Sequence, residues 1–165
     1  MSRLLRLVLT ALALALAPIA PCYATPDSTM AFERLLELDW NVRVNEDPLF
    51  ATDLGIRTHD ARLPGQGLAD QNRRYRHAKQ MLARLSKIDR QELGSAHQVS
   101  YAIFARLKED AIKEYEFGAY TMPITNRSGF HVSFPQLPNR TILSSVEDYE
   151  NYTSRLSQFY RLTEQ

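Results

Sequence analysis

The chain has one cysteine, Cys22, and it lies within the first two dozen residues. No intrachain disulfide can form, and no set of thiolates can hold a metal. The four histidines, His59, His77, His97 and His131, never stand three or four apart, and none is followed by glutamate. The helix-borne zinc-peptidase motif is therefore missing. There is also no G-x-S-x-G elbow for a hydrolase serine. Ser128, beside Gly129 and close to His131, reads as a turn residue, because nearness in sequence does not make a catalytic triad. Neither sign of charge is in excess: 20 Lys and Arg face 19 Asp and Glu. Nucleic acid is thus not an expected partner. No stretch beyond the amino terminus is apolar enough to span a bilayer.

What is present begins with a leader. Arg3 and Arg6 precede an uncharged run, Leu7 to Ala20, and Cys22-Tyr23-Ala24 places small residues where a signal peptidase cuts. Residues 1–24 are expected to be a cleavable signal peptide, which implies export to the periplasm or the medium; an uncleaved anchor is the alternative. Pro21 before Cys22 speaks against a lipoprotein. Loss of the leader's two arginines leaves 18 basic against 19 acidic side chains, and no cysteine. No membrane contact is expected after cleavage. Residues 25–165 have the length of one ordinary domain.

Periodicity predicts an all-α fold of about four amphipathic helices. The first covers Met30 to Val44, with Phe32, Leu35, Leu36, Leu38 and Val42 on its apolar arc. Pro48 opens a short turn of helix, Leu49 to Leu54, that Gly55 closes. Residues 56–69 read as a loop. A second helix, Asp70 to Ile88, buries Ala78, Met81, Leu82 and Leu85. A third starts with a Ser95/Gln98 capping box, buries Tyr101, Phe104, Leu107, Ile112 and Tyr115, and stops at Gly118. The fourth starts with a capping box at Ser144 and Glu147 and turns Tyr149, Tyr152, Leu156, Phe159 and Tyr160 inward. Its pattern still runs at Gln165, so the chain reads as cut short. Residues 120–138, with three prolines and a glycine, read as a long non-helical stretch. Loops of that length are commonly functional.

Few polar side chains stand out. Lys108 falls within the third helix's apolar arc. It either reaches into a cleft to hold an anion or lays its stem over the core with its ammonium in water. Asp39 and Arg43, four apart, suggest a helical ion pair worth a few tenths of a kcal/mol. Trp40 reads as core. The run Arg73-Arg74-Tyr75-Arg76-His77-Ala78-Lys79 reads as a solvated face around a core tyrosine.

The series Phe32 to Trp40, Glu46 to Gly55, Leu82 to Arg90, Val99 to Phe104, Met122-Pro123-Ile124 with Gly129 and Pro135, and Val146 to Tyr149 resembles the opening of the bacterial family known as domain of unknown function 885. The resemblance implies a helical, exported protein several times longer than this chain, similar to zincin-type metallopeptidases. In such proteins the zinc motif lies in the carboxyl-terminal half. No catalytic or metal residue therefore transfers to this chain. It implies no cofactor here, and zinc only in the whole family protein.

Two functions follow as expectations. The first is a non-catalytic, amino-terminal section (25–165) of an exported metallopeptidase-like hydrolase. Such a section contributes a wall or lid of the substrate cleft. Its partners would be the rest of the same protein and that protein's peptide substrate. Asn126, Arg127, His131 and Lys108 are then its candidate cleft-lining residues, though a purely structural crossover accounts for 122–138 as well. The second is a self-contained periplasmic binding or adaptor module without enzymatic activity.

Overall fold

In a computed structural model of the chain, residues 26–164 are described, and these are helical with no strand among them. The expected signal peptide, residues 1–24, lies outside the described residues. No helix among the described residues is long and apolar enough to cross a membrane.

Helix α1, Pro26–Glu46, is longer than the apolar arc suggests. Pro26 suits a first turn, where a missing N–H costs nothing. Asp47 then caps the next helix, its Oδ1 accepting the N–H of Phe50 at 3.1 Å, and Pro48 opens α2, Pro48–Asp53. Gly55, at φ 76°, turns the chain out of α2, a backbone state that side chains with a Cβ resist. A 3-10 turn at Arg57–His59 leads through an irregular segment to α3, Leu68–Leu85. Asp89 caps a second such turn, Arg90–Glu92, before α4, Ser95–Glu116. Gly118, at φ 77°, terminates α4 as expected.

The core is where α1, α3 and α4 meet. Phe32 and Leu35 come from α1, Met81 and Leu85 from α3, Leu93 from the connection and Phe104 from α4. Tyr101 closes one side: its hydroxyl donates to the Leu85 carbonyl at 3.2 Å, capping the end of α3. A stack of Tyr75, Tyr115 and Tyr120, with centroid spacings of 4.4 and 5.1 Å, extends the α3–α4 seam.

Several local expectations shift. Ser95 is the first residue of α4 rather than its cap. Gly94 takes that place, and Gln98 reaches back to the Leu93 carbonyl at 2.9 Å instead. Residues 120–138 are not one open loop: they hold the 3-10 turn Ala119–Thr121, then α5 at Phe130–Ser133, another 3-10 turn and the start of α6 at Leu137–Arg140. Pro135 and Pro138 fall in first turns, where they favour helix instead of breaking it. Trp40 is exposed and meets Phe50 edge-to-face at 5.7 Å, so it is not core. Leu107 is exposed too, with Val99 and Ile103 at four-residue spacing along the outer side of α4.

The largest departure concerns α7, Val146–Ser157. Its capping box is one residue later than expected, Ser145 with Asp148, and the helix breaks at Gln158 before α8, Phe159–Thr163. Much of its apolar side faces out: Val146 is 76% exposed and Tyr149 56%, while Tyr152 is half-buried. On α8, Tyr160 is 68% exposed, but Phe159 is half-buried and stacks on Phe134 at 4.0 Å. The buried residues are Asp148 and Arg155. The irregular segment after α2 explains the inversion. Its backbone groups have no helix to join and must find partners elsewhere. Arg155 donates from Nε to the Arg62 carbonyl at 2.9 Å, and from Nη2 to the His59 carbonyl at 3.0 Å and the Thr52 hydroxyl at 2.9 Å. Gln158 accepts from the Leu63 N–H at 3.2 Å and donates to the Ala61 carbonyl at 2.6 Å. Asp148 Oδ2 accepts the N–H groups of Ser144 and Ser145, and Oδ1 pairs with Arg57. The polar side of α7 is therefore the side that faces the protein.

Candidate functional site

A cleft of about 420 Å³ opens between α1, α3 and α4, with Pro64 and Gln66 at its rim. On α1, Asp39, Val42, Arg43 and Glu46 line it at spacings of three and four, as one face of a helix must. Helix α3 supplies Gln71, Arg74, His77 and Ala78, and α4 supplies Lys108 and Ala111. The volume lies within the range of small-molecule pockets, roughly 300–1,000 Å³.

Asp39 is the hub of one end. Lys108 Nζ donates to its two oxygens at 2.6 and 2.7 Å, and His77 Nε2 lies 2.8 Å from Oδ1. Three helices are thus joined through one carboxylate. The Lys108 side chain is only 17% exposed, and Nζ also lies 4.9 Å from the Phe104 ring centre. Of the two readings open for Lys108, the ammonium in free water is overturned: it points into the cleft and holds an anion, which is the protein's own Asp39. The expected Asp39–Arg43 helical pair does not form, because the two cross-helix partners are better placed than a residue one turn along.

Glu46 is the hub of the other end. Arg73 grips it with a fork, Nε to Oε1 at 2.6 Å and Nη2 to Oε2 at 2.8 Å, and also donates to Asp70 at 2.6 Å. Arg74 adds a bond to the Gly65 carbonyl at 3.0 Å. The Arg73 hydrogen bonds hold the Glu46 carboxyl below its ordinary range, and Glu46 in turn pushes the Arg73 guanidinium up. These two arginines are therefore part of the cleft wall, not a plain solvated face. Arg43 stands between the hubs, stacked on Phe50 at 3.9 Å.

Replacing Asp39 with alanine strands Lys108 and His77 in a largely closed wall. The expected cost is about 2 kcal/mol, between the values for exposed and buried pairs. Urea denaturation checks it. In the double variant with Lys108→Met, part of the loss should return, because no unpaired charge is left.

The other expected cleft residues lie elsewhere. Asn126 and Arg127 are exposed on a turn in which the Thr125 hydroxyl accepts the N–H groups of Arg127 and Ser128, and neither reaches the cleft. His131 is exposed on α5, edge-on to Phe130 at 6.2 Å. Among the expected set, Lys108 alone lines the cleft. Asp39 and Glu46 on α1 and Arg74 on α3 line the cleft without any motif to mark them; the seven-residue spacing of the two carboxylates is the signal the sequence carries. Zinc finds no ligand set: among the described residues, no group of three or more His, Cys, Asp and Glu side chains stands close enough to hold a metal ion.

No curated protein and no solved structure matches the chain. Residues 48–165, from α2 onward, match the sequence model of the family described as Bacterial protein of unknown function (DUF885). With well over half of its length matched, the chain belongs to that family.

Proposed function

We propose that residues 25–165 act as a non-catalytic helical section of an exported, metallopeptidase-like protein, forming a wall or lid of its peptide-binding cleft. The observation that carries this reading is the surface of α7 and α4. Val146 and Tyr149 are exposed on α7 and Tyr160 on α8, while Val99, Ile103 and Leu107 line the outer side of α4. Exposed apolar surface of this kind is usually covered in the working protein. Family membership supplies the second support, since the resemblance behind it is to longer helical proteins. The covering element is further chain of the same protein, and any zinc belongs to that part.

The full chain, purified alone, should bind a hydrophobic dye and self-associate while folded. Substituting Val99, Ile103, Tyr149 and Tyr160 with glutamate should abolish dye binding without lowering the melting temperature. A monomeric chain that binds no dye would overturn the reading. That outcome favours the self-contained binding module, for which the cleft at Asp39 is the supporting feature.

A further inference from the structure

We propose that the cleft between α1, α3 and α4 binds a small carboxylic acid with an apolar body, its carboxylate taken by Arg43 and Lys108. The inference stands whether the chain works as a section or as a module.

The cleft's hydrogen-bonding groups are unevenly engaged. Most acceptors of the cleft are taken. Both oxygens of Asp39 receive Lys108, both oxygens of Glu46 receive Arg73, and Asp47 gives Oδ1 to the cap of α2. An ammonium ligand would find one carboxylate oxygen, Asp47 Oδ2, outside these bonds. The donors are not all taken. Arg43 lies over the Phe50 ring at 3.9 Å, a contact that uses the face of a guanidinium and not its N–H donors. No carboxylate among the described residues pairs with it. Lys108 gives two of its three N–H groups to Asp39 and keeps one.

Charge points the same way. Arg43, Arg73, Arg74 and Lys108 are four cations against the three carboxylates Asp39, Glu46 and Asp47, which leaves the lining one positive charge in excess with His77 neutral. Asp39 and Arg43 are one helical turn apart, about 6 Å along α1. Lys108, bound to Asp39, is therefore within a small anion's reach of Arg43. Between them lie Val42, Ala78 and Ala111, which suit a short aliphatic body.

The test titrates three probes into the full chain: N-acetyl-leucine, its amide N-acetyl-leucinamide, and the tetrapeptide Ala-Ala-Ala-Leu with a free carboxyl end. Binding is followed by calorimetry and by the ring signals of His77, which sits in the wall. The acid should bind with a dissociation constant of about 1 mM and the amide about tenfold more weakly. Arg43→Gln, at an exposed position, should weaken the acid by about tenfold at an unchanged melting temperature. If the tetrapeptide matches the acid, the site takes peptide ends; if it fails while the acid binds, the site takes free acids. Equal affinity for acid and amide, a still His77 signal with every probe, or an Arg43→Gln variant that binds as before would overturn the proposal.

Discussion

Arg155→Ala is expected to lower the stability of the chain by about 3–5 kcal/mol, the range for removing one partner from a buried ionic cluster. Arg155 is 0% exposed. Its guanidinium joins α7 to the segment after α2 through the Arg62 and His59 carbonyls and the Thr52 hydroxyl, with Asp60 Oδ1 at 3.6 Å. Burial pulls its pKa below the usual arginine value, and the charge of Asp60 opposes that pull. An arginine nevertheless stays cationic at any working pH. Alanine would take a donor from the His59 carbonyl and the Thr52 hydroxyl, leave the Arg62 carbonyl without its partner, and open a cavity the size of the side chain. Typical domains have only about 5–15 kcal/mol to lose, so the variant should melt at least about 10 °C lower. Arg155→Lys should recover part of the loss, because one ammonium keeps the charge but cannot make the forked set of bonds. Arg161→Ala, at an exposed position of α8, is the control and should change stability by less than about 0.5 kcal/mol. A thermal melt of the three variants decides. If Arg155→Ala melts like the control, the docking of α7 by its polar side is wrong.

The same residue shows where the sequence misleads. Helices α1, α3 and α4 were legible because their apolar stripes are the sides they bury: Phe32, Leu35, Ala78, Met81, Leu85 and Phe104 are all core. The cap signals helix α7, but the aromatic stripe is a poor guide to its inner side: Tyr149 and Tyr160 are exposed, whereas Phe159, on α8, packs on Phe134. Asp148 and Arg155 stand seven apart and so share one face, a signal that was available. What periodicity could not supply was the reason to bury that face. The reason lies nearly a hundred residues away, in the carbonyls of Ala61 and Arg62, which take their donors from α7 and Gln158, and in that of His59, which takes a second donor there. The cleft failed to show for a similar cause. Asp39, His77 and Lys108 are unremarkable one at a time, and only the packing of three helices makes them neighbours. The 120–138 stretch shows the opposite error: three prolines suggested an open loop, whereas two of them sit in the first turns of short helices, where proline favours the helical state.

Phe32→Ala is the second large effect expected, about 3–5 kcal/mol, because a fully buried aromatic is being emptied from the hydrophobic cluster in which all three long helices meet. The ring meets Tyr101 and His97 at centroid distances of 6.0 Å, so α4 contributes neighbours on two sides, and Met81 and Leu85 of α3 complete the cluster. Those neighbours sit on separate helices and cannot collapse into the space without moving α1. Its consequence for the cleft follows from geometry. Asp39 is seven residues along α1 from Phe32, two helical turns, and so lies on the same face. Loosening α1 at Phe32 therefore draws Asp39 away from His77 and Lys108. Phe32→Leu fills most of the volume and should cost about 1.5 kcal/mol or less, leaving the Asp39 cluster in place. Urea denaturation gives the stability change, with an unchanged slope showing that the unfolded reference is the same. The His77 ring signals, which in the native chain report contact with Asp39, should move in Phe32→Ala and stay in Phe32→Leu. A small stability loss for Phe32→Ala with unmoved His77 signals would mean that α1 is held by its ion pairs and not by its core.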